Sequence, residues 1–130
     1  MFQPRFELVR DQRILRLDYR GLSCAELETA FLVAGRLIAR EPPASLLILT
    51  FLESRFDSRT AEALKHYVIG NGPYVRASAV LARGFWRSVM TTLKLGVRSD
   101  LHFFDDERAA LDWLVARGSR APVPVEPVRR

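Results

Sequence analysis

Two short stretches within the first twenty residues alternate between apolar and polar side chains with a period of two. The alternation covers residues 6–9 and 14–19, separated by the short polar stretch 10–13. The apolar members that share one face of such a ribbon are Phe6, Leu8, Leu15, Leu17 and Tyr19. The pattern predicts an N-terminal β-hairpin with one face in the core and the other in water.

Helical spacing replaces the alternation after residue 22. Ser23 and Glu26 match a capping box, in which the serine hydroxyl accepts a backbone N–H and the glutamate reaches back to the serine N–H. The apolar residues that follow at helical spacing are Leu27, Ala30, Phe31, Ala34, Leu37 and Ile38. We therefore predict a helix that runs to about Arg40 and ends before the two prolines at 42 and 43.

Residues 46–51, LLILTF, form an apolar run without alternation. Such a run is typical of a central parallel strand that is covered on both faces. A second predicted helix follows and turns Ala61, Leu64 and Val68 inward. It ends at residues 70–73, GNGP, because glycine adopts a left-handed backbone readily and proline cannot continue a helix.

The second half of the chain repeats the succession of strand and helix. Residues 75–81 and 101–104 predict two further strands. A third helix is predicted after Gly84, and a last helix begins at Asp105 or Asp106. The order ββαβαβαβα, with about five strands and about four helices, predicts an α/β fold around a mostly parallel sheet.

Length and composition indicate one globular domain. The chain has 130 residues, of which 48% are apolar and 27% are charged. We predict a single domain over residues 1–117. Residues 118–130, GSRAPVPVEPVRR, contain three prolines without apolar periodicity and predict a flexible Pro/Arg-containing tail.

The same composition bears on location and on nucleic acids. No stretch approaches the roughly 20 apolar residues of a membrane span, and the first residues do not resemble a signal peptide. We expect a cytoplasmic protein that is not transmembrane. The net charge of +5 favours anionic partners in general, but no nucleic-acid-reading motif accompanies it, so we expect no specific nucleic-acid binding.

Candidate chemistry for catalysis or metal binding is sparse. Cys24 cannot form an internal disulfide by itself, and it shares no metal-ligand spacing with His66 or His102. No nucleophile, base and orienting group stand in a recognisable arrangement. We therefore expect no catalytic residue, no metal, no cofactor and no enzymatic activity.

One hydroxyl stands at the start of the second predicted helix, after a dense group of charges. Ser58 has two interpretations from the residues alone. As a helix cap it would accept a backbone N–H and contribute about 1 kcal/mol. As a phosphorylation site it would place an anion at the positive end of the helix. The sequence leaves both interpretations open.

The strand LLILTF, the loop LESRF and the DS that opens the helix RTAEAL together resemble the STAS domain. That fold is shared by bacterial anti-sigma-factor antagonists and the cytoplasmic tails of sulfate transporters. The segments PYVRASAVLARGF and LHFFDDERAALDWL are similar to a bacterial STAS-like branch whose members mostly lack an assigned activity. Together these pieces cover nearly all of the chain except its termini.

This resemblance implies a protein-interaction module with a regulatory serine. In the antagonist branch, a partner kinase that is also the anti-sigma factor phosphorylates the serine after the aspartate, which corresponds to Ser58. The residues expected to contact such a partner are Glu53, Arg55, Asp57, Arg59 and Thr60. The antagonists typically follow the serine with a small residue and a glycine, whereas this chain has an arginine and a threonine there.

An alternative hypothesis concerns the third predicted helix. STAS-like folds are similar to lipid-carrying domains that open an apolar pocket, and this helix combines apolar residues with a basic face. The residues expected to contact a small ligand, lipid or anion are Phe85, Trp86, Arg87, Met90 and Lys94. The edge strand of the first hairpin would in addition support a homodimer.

Overall fold

A computed structural model describes residues 2–53, 57–82, 88 and 100–119. Within these ranges, five strands form one sheet in the order β1-β2-β3-β4-β5. The strands are β1 (Arg5–Val9), β2 (Gln12–Asp18), β3 (Leu46–Leu52), β4 (Val75–Ala82) and β5 (Asp100–Phe103). β1 pairs with β2 in antiparallel orientation, and all other pairs are parallel. The predicted α/β fold with an N-terminal hairpin and a mostly parallel sheet is confirmed.

Three α-helices lie within the described residues. They are α1 (Cys24–Ile38), α2 (Ser58–Asn71) and α3 (Glu107–Ser119), and a short 3-10 turn (Gly72–Tyr74) joins α2 to β4. The apolar stripe of the third predicted helix lies outside the described residues, and α3 corresponds to the last predicted helix. Because α3 runs to Ser119, residues 118 and 119 belong to a helix, and residues 120–130 lie outside the described part.

The predicted capping box opens α1. The Ser23 hydroxyl accepts from the Glu26 backbone N–H at 3.2 Å, and the Glu26 carboxylate accepts from the Ser23 N–H at 2.8 Å. The apolar stripe of the helix then faces the sheet through Leu27, Ala30, Phe31, Ala34 and Ile38. Local sequence therefore determines both where α1 begins and which face it buries.

The sheet is covered on both faces. α1 and α2 pack on one face, α3 packs on the other, and all seven residues of β3 are buried between them. The expectation that the hairpin has one wet face is wrong for β2. Ile14 is fully buried beneath α3, and Arg16 reaches Glu107 of that helix at 3.0 Å.

β1 is an edge strand among the described strands. At its carboxyl end, which leads into the hairpin turn, the burial differs from the sequence prediction. Leu8 was expected in the core with Leu15, yet its side chain is 74% exposed. It pairs with Arg13 at the turn end of the hairpin, whereas Phe6 pairs with Leu15 beneath the helices. The homodimer expected from this edge stays a prediction.

Candidate functional site

The start of α2 follows β3 at the carboxyl edge of the parallel strands, where open α/β sheets commonly place their sites. Asp57 is the N-cap residue of this helix. Its Oδ1 accepts from both the backbone N–H and the hydroxyl of Thr60, each at 2.8 Å. These hydrogen bonds, led by the one from the backbone N–H, lower the pKa of the Asp57 carboxyl.

Ser58 is the first residue of α2 and does not cap it. The interpretation of Ser58 as the helix cap is therefore wrong, because the preceding carboxylate accepts the hydrogen bond. The Ser58 side chain is exposed, and its hydroxyl makes no hydrogen bond to any residue that the structure describes. Phosphorylation of this exposed hydroxyl stays a prediction.

The residues expected around Ser58 fall into three groups. Glu53, Asp57 and Arg59 are exposed, and the last two are the chain neighbours of Ser58, with the Arg59 side chain 83% exposed. Thr60 is fully buried and turned towards Asp57, so its side chain adds nothing to a contact surface. Arg55 lies outside the described residues. Of the two residues that replace the small pair of the antagonists, only Arg59 projects from this surface.

An acidic residue that sequence reasoning missed joins this surface. Glu28 of α1 accepts from the Nε of Arg59 at 3.1 Å and so links the second turn of α1 to the first turn of α2. Residues 28 and 59 are far apart in sequence, and neither stands at a spacing that indicates the other. Only the packing of the two helices brings them together.

Loss of the Asp57 carboxylate is expected to destabilise the protein. In Asp57→Ala, two donors lose their acceptor, and one of them belongs to the buried Thr60 side chain. Asp57→Asn keeps one acceptor oxygen and should be intermediate. Urea unfolding at neutral pH measures the order wild type, Asn, Ala, and equal midpoints would contradict it.

The pH dependence gives this prediction a second readout. The folded pKa of Asp57 lies below its unfolded value of about 4. The charged carboxylate therefore stabilises the fold fully above the unfolded pKa, and this contribution is lost as the pH falls through the lower folded value. The difference between wild type and Asp57→Ala should shrink across that acidic window.

The described residues do not form a site from the other candidates that the sequence suggests, which are the ligand-binding residues near the third predicted helix and metal ligands. The ligand residues proposed near the third predicted helix, Phe85, Trp86, Arg87, Met90 and Lys94, lie outside the described residues. Among the residues described, no cluster of three or more His, Cys, Asp or Glu side chains is placed to hold a metal ion. In the same ranges, no helix has the length and apolar character needed to cross a membrane.

Comparison with known proteins finds similarity at the level of structure. No protein-family model matches the sequence, and no curated protein matches it. Among solved structures, the chain is similar to an uncharacterized protein of the DUF3478 family with a SpoIIAA-like fold from Shewanella loihica PV-4. The identity is 20%, the alignment covers 87% of this chain and 93% of that one, and the TM-score is 0.69. At this identity the likeness shows the fold, and the predicted STAS-like architecture is confirmed.

Proposed function

From the SpoIIAA-like fold of this chain, we propose that the protein is a non-enzymatic interaction module that contacts a protein partner through the start of α2. Phosphorylation of Ser58 controls this contact. The observation that supports the proposal most directly is the division of roles at the helix start. Asp57 caps the helix while the exposed Ser58 hydroxyl is not used for capping, so a modified Ser58 leaves the cap in place.

A phosphate at Ser58 would change the charge of this surface sharply. It adds about −1.5 to −2 charges and three strong acceptor oxygens. The positive end of α2 favours a nearby anion by about 0.3–1 kcal/mol, and Arg59 offers a charge-assisted hydrogen bond. Glu53 and Asp57 oppose the added charge. The outcome is a strongly acidic surface in place of a mixed one.

Phosphorylation of Ser58 would also affect the ion pair between Arg59 and Glu28. Arg59 is bound to Glu28 at 3.1 Å, and a phosphate on the adjacent residue competes for the same guanidinium. Phosphorylation would therefore weaken the link between α1 and α2 at the partner surface. The class of partner that the sequence resemblance implies is a regulatory kinase or an anti-sigma-like protein.

The test has a chemical arm and a binding arm. Mass spectrometry of the protein recovered from its native cells should find phosphate on Ser58. Pulldowns should then compare Ser58→Ala and Ser58→Asp with Ser45→Asp. Ser45 is an exposed serine that precedes β3 at the opposite edge of the sheet, so this control adds the same charge far from the site. Because the Ser45 hydroxyl donates to the Pro42 carbonyl at 2.7 Å, a circular dichroism melt establishes that Ser45→Asp is folded.

We expect a partner that is retained by wild type, Ser58→Ala and Ser45→Asp but lost or weakened by at least about tenfold in Ser58→Asp, as expected for a charge placed within a contact surface. Unphosphorylated Ser58 together with identical partner sets for all four proteins would refute the switch.

A further inference from the structure

A groove of about 550 Å³ lies between α1 and α2, and Ser58 is not among its lining residues. Its volume falls within the range of about 300–1,000 Å³ that is typical of small-molecule sites. Tyr67 and Leu32 provide apolar wall, and the Tyr67 ring stacks on Phe31 with centroids 5.1 Å apart. Leu32 is 64% exposed, so apolar surface is open to solvent here.

Two glycines inside the helices line the groove. Gly35 of α1 and Gly70 of α2 both line it, although glycine is unfavourable within a helix. Neither has a left-handed backbone. A Cβ on Gly70 would meet nothing within 4 Å, and one on Gly35 would make ordinary contacts of 3.9 Å with Tyr67 and Asn71. Backbone geometry and helix packing therefore do not require glycine at either position.

A buried amide faces this space. Asn71 lines the groove with only 9% of its surface exposed, and its side chain makes no hydrogen bond to the residues that the structure describes. Its Oδ1 lies 3.9 Å from the position of a Cβ on Gly35, so the amide lies against α1, and the same residue also lines an internal cavity of about 40 Å³ beside Tyr19. Buried polar groups in proteins are nearly always hydrogen-bonded, and a donor within the groove would satisfy this oxygen.

The charges on the groove rim are unequal. Arg36 of α1 is exposed and forms no ion pair with the described residues. Glu28, the acidic residue that lines the groove, is already bound to Arg59. The uncompensated charge at the rim is therefore positive, which favours an anionic ligand.

We propose that this groove binds a small aromatic carboxylate. The ring packs on Tyr67 and Leu32, a ring N–H donates to Asn71, and the carboxylate pairs with Arg36. This site does not include Ser58, but it shares Glu28 with the proposed switch surface, since Arg59 pairs with Glu28. Binding to the unphosphorylated chain therefore tests the groove without testing the switch.

Three related compounds test each contact on the full chain by isothermal titration calorimetry and ligand-observed NMR. Indole-3-acetate carries the ring N–H and the carboxylate, indole-3-acetamide lacks the charge, and 1-naphthaleneacetate lacks the N–H. We expect indole-3-acetate to bind most tightly. The loss of charge should weaken binding by about two- to fivefold, the range of an exposed ion pair.

Matched variants assign the site. Gly35→Leu fills the groove and should abolish binding, whereas Thr29→Leu adds the same side chain to α1 outside it and should not. Arg36→Gln should remove the preference for the acetate over the acetamide, whereas Arg40→Gln, one turn further along, should retain it. Asn71→Leu should remove the preference for indole over naphthalene. Circular dichroism melts establish that each variant is folded.

Three results would overturn the proposal. One is no binding of any of the three compounds to the wild type at millimolar concentration. The second is binding that Gly35→Leu and Arg36→Gln leave unchanged. The third is binding that Thr29→Leu weakens as much as Gly35→Leu does. In the last two cases the compounds would bind elsewhere.

Discussion

Truncating Leu15 to alanine is expected to lower the free energy of unfolding by about 2–5 kcal/mol, whereas the same truncation at Leu8 should change it by less than about 0.5 kcal/mol. Both leucines lie on the hairpin face that the alternating pattern assigns to the core. Leu15 is fully buried in the cluster beneath α1 and α2, whereas Leu8 is 74% exposed. The difference in cost follows from the cavity that Leu15→Ala leaves and Leu8→Ala does not.

Urea unfolding of the two variants and the wild type measures this contrast directly. The slope of the free energy against urea should stay the same in all three, so that midpoint shifts report stability. Similar losses at the two positions would mean that the end of β1 is covered in solution, for example by a second copy of the chain.

Raising the pH above about 10 is expected to destabilise the protein steeply through Tyr19 and Tyr67. The Tyr19 hydroxyl donates to the Tyr67 oxygen at 2.8 Å within the cluster beneath α1 and α2. Burial raises the pKa of both phenols, that of Tyr19 well above its ordinary value. The Tyr67 ring is half-buried where it lines the groove, but its oxygen bonds the fully buried Tyr19.

The direction of the effect follows from which state releases protons first. Above about pH 10 the unfolded tyrosines ionise while the folded ones stay neutral, so the unfolded state binds fewer protons and is favoured. The stabilisation is complete below the unfolded pKa and is lost as the pH rises towards the folded values. Each tyrosine contributes up to about 1.4 kcal/mol per pH unit in that window.

The measurement is urea unfolding of wild type and the double variant Tyr19→Phe/Tyr67→Phe from neutral pH to about pH 12. Lysine titration is common to both proteins, so the difference between the two curves isolates the tyrosine pair. The wild type should lose stability faster than the double variant once the pH passes about 10. Parallel curves would show that these phenols are accessible to ionisation in the folded state.

The helix start at Asp57 and Ser58 shows how far local sequence reasoning extends. The pattern placed a helix start and a hydroxyl at the carboxyl end of β3, and the structure has both. Of the two adjacent residues that could cap the helix, the structure gives the role to Asp57, which the resemblance also allowed, and not to Ser58. Aspartate and serine cap helices about equally well, so propensity alone does not choose between them. The choice follows from the register in which α2 buries Thr60, Leu64 and Val68 against the sheet.

What the sequence by itself determined is the succession of elements. The capping box at Ser23 and the apolar run of β3 are each encoded within a few neighbouring residues, and so each was predictable. The end of α2 falls within the predicted stretch, but the expected left-handed glycine is wrong, because Gly72 caps the helix in a right-handed conformation and a 3-10 turn follows. Periodicity reports which positions of one element share a face, because that depends only on the geometry of the element.

Tertiary structure decided which faces of the strands and helices are covered by other elements, and which side chains therefore are buried or meet. It exposed Leu8, buried Ile14 beneath α3, paired Glu28 with Arg59, and set Asn71 against Gly35 beside a groove. Each of these relations joins residues that are distant in sequence, and their contacts arise only when the elements pack. The candidate serine was therefore visible in the sequence, whereas its charged neighbour on α1 and the groove were not.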